Sequence, residues 1–207
     1  MTGRRFAAAA ALALGVLTAP LAAQNADAPA APSRDDGLAA WSRIEAVVTH
    51  PRCANCHVGP DNIPMWTGPE FDRPGPHGMA INAGESRIGA ETLACATCHV
   101  TSDAPNEIAH AAPHVGIEWR LAPVEFQWFD VPGADICDRL RDPATNGGRD
   151  AAGLVEHLRD DVAHQGFVLW GWQPGGDREP APGTLEDHIR DMGVWGAAGQ
   201  PCPGDAG

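Results

Sequence analysis

Two pentapeptides of one pattern constrain this chain more than anything else in it: Cys53-Ala54-Asn55-Cys56-His57 and Cys95-Ala96-Thr97-Cys98-His99, both C-x-x-C-H. The pattern is that of covalent c-type haem attachment. The spacing has a chemical reason: the two thiols add to vinyl groups along one porphyrin edge, and the adjoining His reaches under the ring to bind iron. Structural zinc sites also use C-x-x-C pairs, but they have no use for a His at the same offset twice. A thioredoxin-like C-x-x-C belongs beside a βαβ pattern, and neither motif has one around it. A pair of chance disulfides is the remaining alternative. The sequence therefore predicts two haem c groups anchored by Cys53, Cys56, Cys95 and Cys98, with His57 and His99 as proximal iron ligands.

The first residues support that reading. Arg4 and Arg5 precede an apolar, Ala-rich run from Phe6 to about Leu17, with small residues at Ala22 and Ala23. This order is that of a secretory signal peptide, so residues 1–23 are set apart from the fold and the periplasm is the expected compartment. The run is too short and Ala-rich for a convincing span, and no other segment approaches spanning length, so no stable membrane insertion is expected. Residues 24–37, mostly Ala, Pro, Asp and Ser, read as a flexible linker. Of the six cysteines the motifs use four; in an oxidising compartment the two left over, Cys137 and Cys202, are expected to form a disulfide.

The charge narrows the partners. The chain has 14 basic and 27 acidic residues, a net −13, and every basic residue is Arg. Without Arg4 and Arg5 the balance is 12 − 27 = −15. Such acidity argues against nucleic acid and anionic lipid, and suits either plain solubility or a partner with a basic docking face.

The expected fold class is mainly α with extensive coil, a small domain over residues 38–203 wrapped around two covalently bound haems. Its haem-binding part is 38–130 and its helical C-terminal part 131–203. Trp41, Ile44, Val47 and Val48 follow the helical period from Leu38 to Val48, and Pro51 ends that helix just before Cys53. Residues 58–87 are too rich in Gly and Pro for long helices or central strands; a haem face gives such a chain something to cover. Gly89–Ala94 reads as a short helical turn into Cys95. Phe126, Trp128 and Phe129 form a dense aromatic patch whose core-packing and porphyrin-packing readings nearly coincide. Further helices are expected over Pro132–Arg141, over Ala151 to about Arg159 behind an Asp150 cap, and from Leu185 behind a Thr184 cap. Phe167–Trp172 is either a helix end or an extended piece.

Closure of each iron turns on a second His or Met. Pro76-His77 follows the first motif and Pro113-His114 the second, so His77 and His114 are the leading distal ligands. The alternatives are Met79, His50 and His110, with Met65 less well spaced. A His/Met pair sets a higher potential than a bis-His pair. His157, His164 and His188 fall on or near polar helical faces and read as surface histidines.

The run Val48-Thr49-His50-Pro51-Arg52-Cys53-Ala54-Asn55-Cys56-His57 resembles bacterial exported dihaem cytochrome c proteins of the "HPRCxNCH" type. Trp119-Arg120-Leu121-Ala122-Pro123, Asn146-Gly147-Gly148-Arg149, Trp170-Gly171-Trp172-Gln173-Pro174-Gly175 and Gly199-Gln200-Pro201-Cys202-Pro203 carry the resemblance to the end of the chain. Some members of that family are labelled a subunit of isoquinoline 1-oxidoreductase, which implies redox partner proteins and a molybdenum hydroxylase as electron donor. The chain has no molybdopterin or iron–sulfur pattern of its own. The expectation is an electron carrier rather than an enzyme; the alternative is a haem enzyme with one open iron, reducing peroxide or a nitrogen oxide.

Overall fold

Helix α1 (Arg34–Val48) is the first element of the computed structural model, which describes residues 30–205. The expected signal peptide lies outside the described residues. Helix α1 starts four residues earlier than its apolar period, so Arg34–Gly37 of the expected linker form its first turn. The cause is local. Ser33 accepts a hydrogen bond from the Asp36 amide, and the Asp36 carboxylate accepts one from the Ser33 amide at 2.9 Å, so orphan amides are satisfied at both residues.

Thr49 caps the far end of α1, and the one-turn α2 (Pro51–Ala54) follows, carrying Cys53. His50 is its N-cap, with Nδ1 accepting from the Arg52 amide at 3.2 Å, and Pro51 stands at the first helical position, where a missing N–H costs nothing. The Gly/Pro-rich stretch after the first motif contains one antiparallel pair of two-residue strands, β1 (Met65–Trp66) and β2 (Gly75–Pro76). Asn55, inside the motif, pins β1: its carbonyl accepts from Met65 N at 2.9 Å and its side chain exchanges hydrogen bonds with Thr67. Gly89–Ala94 is a turn rather than a helix, closed by Cys95 N donating to Ile88 O at 2.9 Å.

The rest is helical: α3 (Gly133–Arg141), α4 (Ala151–Ala163), α5 (Phe167–Trp172) and α6 (Leu185–Ala197). Asp150 and Thr184 cap α4 and α6 as expected, accepting from Gly153 N at 2.8 Å and Asp187 N at 3.1 Å. Helix α5 resolves the ambiguous Phe167–Trp172 piece, and a distant residue starts it. The Asp161 carboxylate, on α4, accepts from the amides of Phe167 and Val168 at 3.1 and 2.7 Å. Burial raises the Asp161 pKa, and these amide hydrogen bonds oppose the rise.

The main core joins both ends of the chain. Ala40, Trp41, Ile44 and Val48 of α1 pack on Ile136 and Leu140 of α3, Leu154 of α4, and Met192 and Trp195 of α6. Trp41 and Trp195 meet with ring centroids 5.5 Å apart. Burying each such large side chain stabilises by about 1.5–3 kcal/mol. Gly37 is required where α1 meets the C-terminal segment, because a Cβ there would stand 2.6 Å from Ala198 Cβ. Arg43 grips the buried Asp191 through two hydrogen bonds of 2.8 and 2.7 Å. The expected disulfide is present: Cys137 on α3 is bonded to Cys202, both fully buried, across 65 residues of chain. The protein is thus mainly helical with long irregular stretches, and among the described residues no helix is long and apolar enough to cross a membrane.

Candidate metal centres at the two C-x-x-C-H motifs

Both motif histidines are held in the same way. His57 Nδ1 lies 2.7 Å from the Phe126 carbonyl oxygen, and His99 Nδ1 lies 2.8 Å from that of Pro113. A carbonyl oxygen only accepts, so each Nδ1 carries the hydrogen and each Nε2 keeps its lone pair. Each ring also lies flat on an indole. His57 stacks on Trp128 at 3.5 Å between centroids and 5° between planes, and His99 on Trp119 at 4.1 Å and 13°. A histidine fixed by a backbone carbonyl, with its other nitrogen free, is the usual form of a metal-binding imidazole. Burial is the main cause that lowers the pKa of both rings, His57 to about 4, so both are neutral at ordinary pH.

Three of the thiols beside them, Cys53, Cys56 and Cys95, are neutral as well. Burial pushes Cys53 up to about 12 and Cys56 up to about 11, and it raises Cys95 too. Ionisation of Cys95 would raise the Cys56 pKa, so the motifs lie within electrostatic reach of each other. All four motif cysteines are free of disulfides. Among the described residues no three of His, Cys, Asp and Glu converge on one point, the arrangement a structural zinc site would need.

One arginine ties the motifs together. Arg87 donates to Val58 O (3.0 Å), Gly59 O (3.1 Å), Asn62 Oδ1 (2.7 Å) and Ala122 O (2.8 Å), while the next residue, Ile88, receives the Cys95 amide. The loop after His57 and the entry to the second motif thus hang from adjacent residues. A second link is aromatic. Trp119, stacked on His99, meets Phe167 and Trp170 of α5 edge-on at 5.2 and 5.6 Å.

The first motif opens onto a cavity of about 460 Å³. Cys53, Cys56 and His57 form one wall, and α4, α5 and α6 supply Leu154, Trp170 and His188 among others. Arg52, which pairs with Glu70, donates to Glu179 O at 2.7 Å and lies over the Trp170 ring, sets a buried cation in the wall. The second motif is more open: Cys98 is exposed, and Leu93 and Val100, on either side of the motif in sequence, are exposed apolar side chains.

The distal candidates distribute differently from their order in the chain. His77 stands beside the second motif, with its ring centroid 6.1 Å from that of His99 and the planes at 62°. Trp66 backs it at 5.0 Å. His114 has its Nδ1 3.2 Å from Ser102 O and lines a cleft with Asn106 and Gln173 that includes no motif residue. Met79 is 79% exposed and His110 is exposed, while His50 is engaged as the α2 cap. Met65 packs beside Cys56 against Val58, Ala83 and Leu121.

His164 is on the surface, paired with Asp160, as its helical position implies. His157 is exposed yet borders the first cavity. His188 departs from the surface reading: it is only 8% exposed, lines the first cavity, and has its pKa lowered to about 4 by burial. The signal that exposes this in the sequence is its register, since His188 is one helical turn before Met192 and shares its inward face.

No family model matches this chain, and no curated protein or solved structure is similar to it.

Proposed function

We propose that this protein is a periplasmic dihaem c-type cytochrome that relays electrons between partner proteins. The observation that carries the reading is the repeated support of the motif histidines. At both motifs a backbone carbonyl takes the Nδ1 hydrogen, an indole stacks on the ring, and a free Nε2 stands beside two unpaired thiols. Zinc-binding or redox-active C-x-x-C pairs give no reason for that duplication.

The surroundings suit haem at each motif. At the second, the ring centroids of His77 and His99 lie 6.1 Å apart, so both imidazoles would be within reach of one bound group. At the first, the cavity of about 460 Å³ is lined largely by apolar side chains, Leu121, Phe126, Leu154 and Trp170 among them. A large apolar group suits that space better than water does.

Haem iron supplies a one-electron couple when bound. The chain supplies the rest. Cys53, Cys56, Cys95 and Cys98 hold the groups covalently, while His57 and His99 present oriented, neutral nitrogens. His77 serves the second site rather than the first. Arg87 and the Trp119–Trp170 contact keep the two sites at fixed separation. The acidic surface fits a donor with a basic docking face, and the "HPRCxNCH" resemblance points to a molybdenum hydroxylase-type dehydrogenase as that donor.

One observation favours a haem enzyme as second reading. Among the described residues the ring neighbours of His57 are Trp128 and Phe126, with no imidazole opposed to it as His77 is to His99. Expression with haem-maturation machinery, haem quantification and reduced spectra with and without carbon monoxide test the proposal. Two covalent haems that both ignore carbon monoxide support the carrier; one that binds it supports the enzyme; a chain without haem overturns both.

A further inference from the structure

We infer that His188 of α6 is the distal ligand at the first motif, reaching iron from the cavity that Cys53, Cys56 and His57 also line. The assignment rests on the dihaem reading above and extends it to a residue that sequence order does not single out.

Three observations converge on His188. It lines the same cavity as Cys53, Cys56 and His57. It is more than nine-tenths buried. Its Nδ1 has no hydrogen-bond partner. Buried polar groups are nearly always partnered, and leaving one bare costs about 1–3 kcal/mol. With Nδ1 sealed off, Nε2 is the ring nitrogen left to present its lone pair to the cavity. Trp172, with its ring centroid 5.2 Å from that of His188, restricts the ring from one side.

The competing side chains have other occupations. His157 is exposed at the cavity rim. Met192 is buried and lines the cavity, but it belongs to the main core with Trp41 and Trp195, and a thioether needs no partner there. His50 caps α2, His77 faces His99, and His114 belongs to another cleft. Of the imidazoles around the first cavity, His188 alone is both buried and unpartnered.

The experiment uses the mature holoprotein, first established to carry two covalent haems. In His188→Ala the haem count should stay at two, while half of the ferric haem turns high-spin and half of the ferrous haem binds carbon monoxide. In His188→Gly, added imidazole should restore the low-spin spectrum, a rescue that a merely structural role would not produce. His157→Ala and Met192→Leu should leave both haems low-spin. If His188→Ala does not accumulate, His188→Met keeps a ligand in place and should raise one midpoint potential without opening an iron. The inference is overturned if both haems in His188→Ala stay low-spin and inert to carbon monoxide, or if His157→Ala or Met192→Leu opens the iron instead. An unchanged pair of potentials in His188→Met, or an iron already open in the wild type, overturns it equally. Absence of haem from the wild type is the separate failure, that of the dihaem reading.

Discussion

The two motifs share five-residue chemistry and differ in almost everything around it. The His57 imidazole is held by a carbonyl 69 residues away, and its cavity is walled by α4, α5 and α6 from the last third of the chain. The His99 imidazole is held by a carbonyl only 14 residues away, in coil, with His77 and Trp66 supplied from just upstream. The first site is therefore part of the global core, while the second is a local structure laid over it. Loop closure over long separations is repaid only by extensive burial; short coil needs little, and leaves its motif wet. Two motifs of one pattern thus sit in one buried and one more exposed setting.

The comparison breaks most visibly under removal of each motif. If the proposed haem fills the first cavity, Cys53→Ala with Cys56→Ala should abolish stable folding, because the cavity of about 460 Å³ would lose that group while lying against the main core. Cys95→Ala with Cys98→Ala should leave the helical circular dichroism and most of the thermal stability intact. Equal losses in the two variants would dissolve the distinction. Cutting the disulfide comes next. It closes 65 residues around the first site, so Cys137→Ser with Cys202→Ser should lose about 4 kcal/mol on the chain-entropy scale. The melting temperature would fall by roughly 10 °C, with the spectrum of the second site unchanged at lower temperature.

Redox titration sharpens the contrast. Burial disfavours the more highly charged oxidised state, so two midpoint potentials should separate, the higher belonging to the first motif. Cys95→Ala with Cys98→Ala should delete the lower one; loss of the higher would reverse the assignment. His77→Ala should open only the second site to carbon monoxide. If the opened iron is the first, His77 does not serve His99. The smallest effect is expected from Trp66→Ala. Its indole is 44% exposed and backs His77 from outside, so stability should change by less than about 1 kcal/mol, with a small shift confined to the lower potential.

Much of the helical framework was legible in advance because its signals are local. Asp150, Thr184 and the apolar period set α4 and α6 within a few residues. The start of α1 was misjudged because the Ser33–Asp36 cap was not weighed against the polar composition after it. Helix α5 was undecidable because its amides are capped by Asp161, a residue of another helix. Which site His77 or His114 serves is not legible in the sequence, because chain distance carries no direction once Gly- and Pro-rich coil folds back on itself. His188 was assigned to the surface because a polar face was inferred from neighbours such as Asp187 and Arg190, while the burial pattern of α6 turns on Ile189, Met192 and Trp195.

The sequence by itself determined the local chemistry: two C-x-x-C-H words, the spare cysteine pair, the acidic surface and the helical segments. Each of these is written in residues within one turn or loop of each other, or in composition. Only the tertiary structure decided that Trp128 and Trp119 stack on the motif histidines, that His77 stands against His99, and that His188 turns inward. Those pairings join segments tens of residues apart. Their geometry is set by which apolar faces pack together, a property of the folded whole that no window of the chain contains.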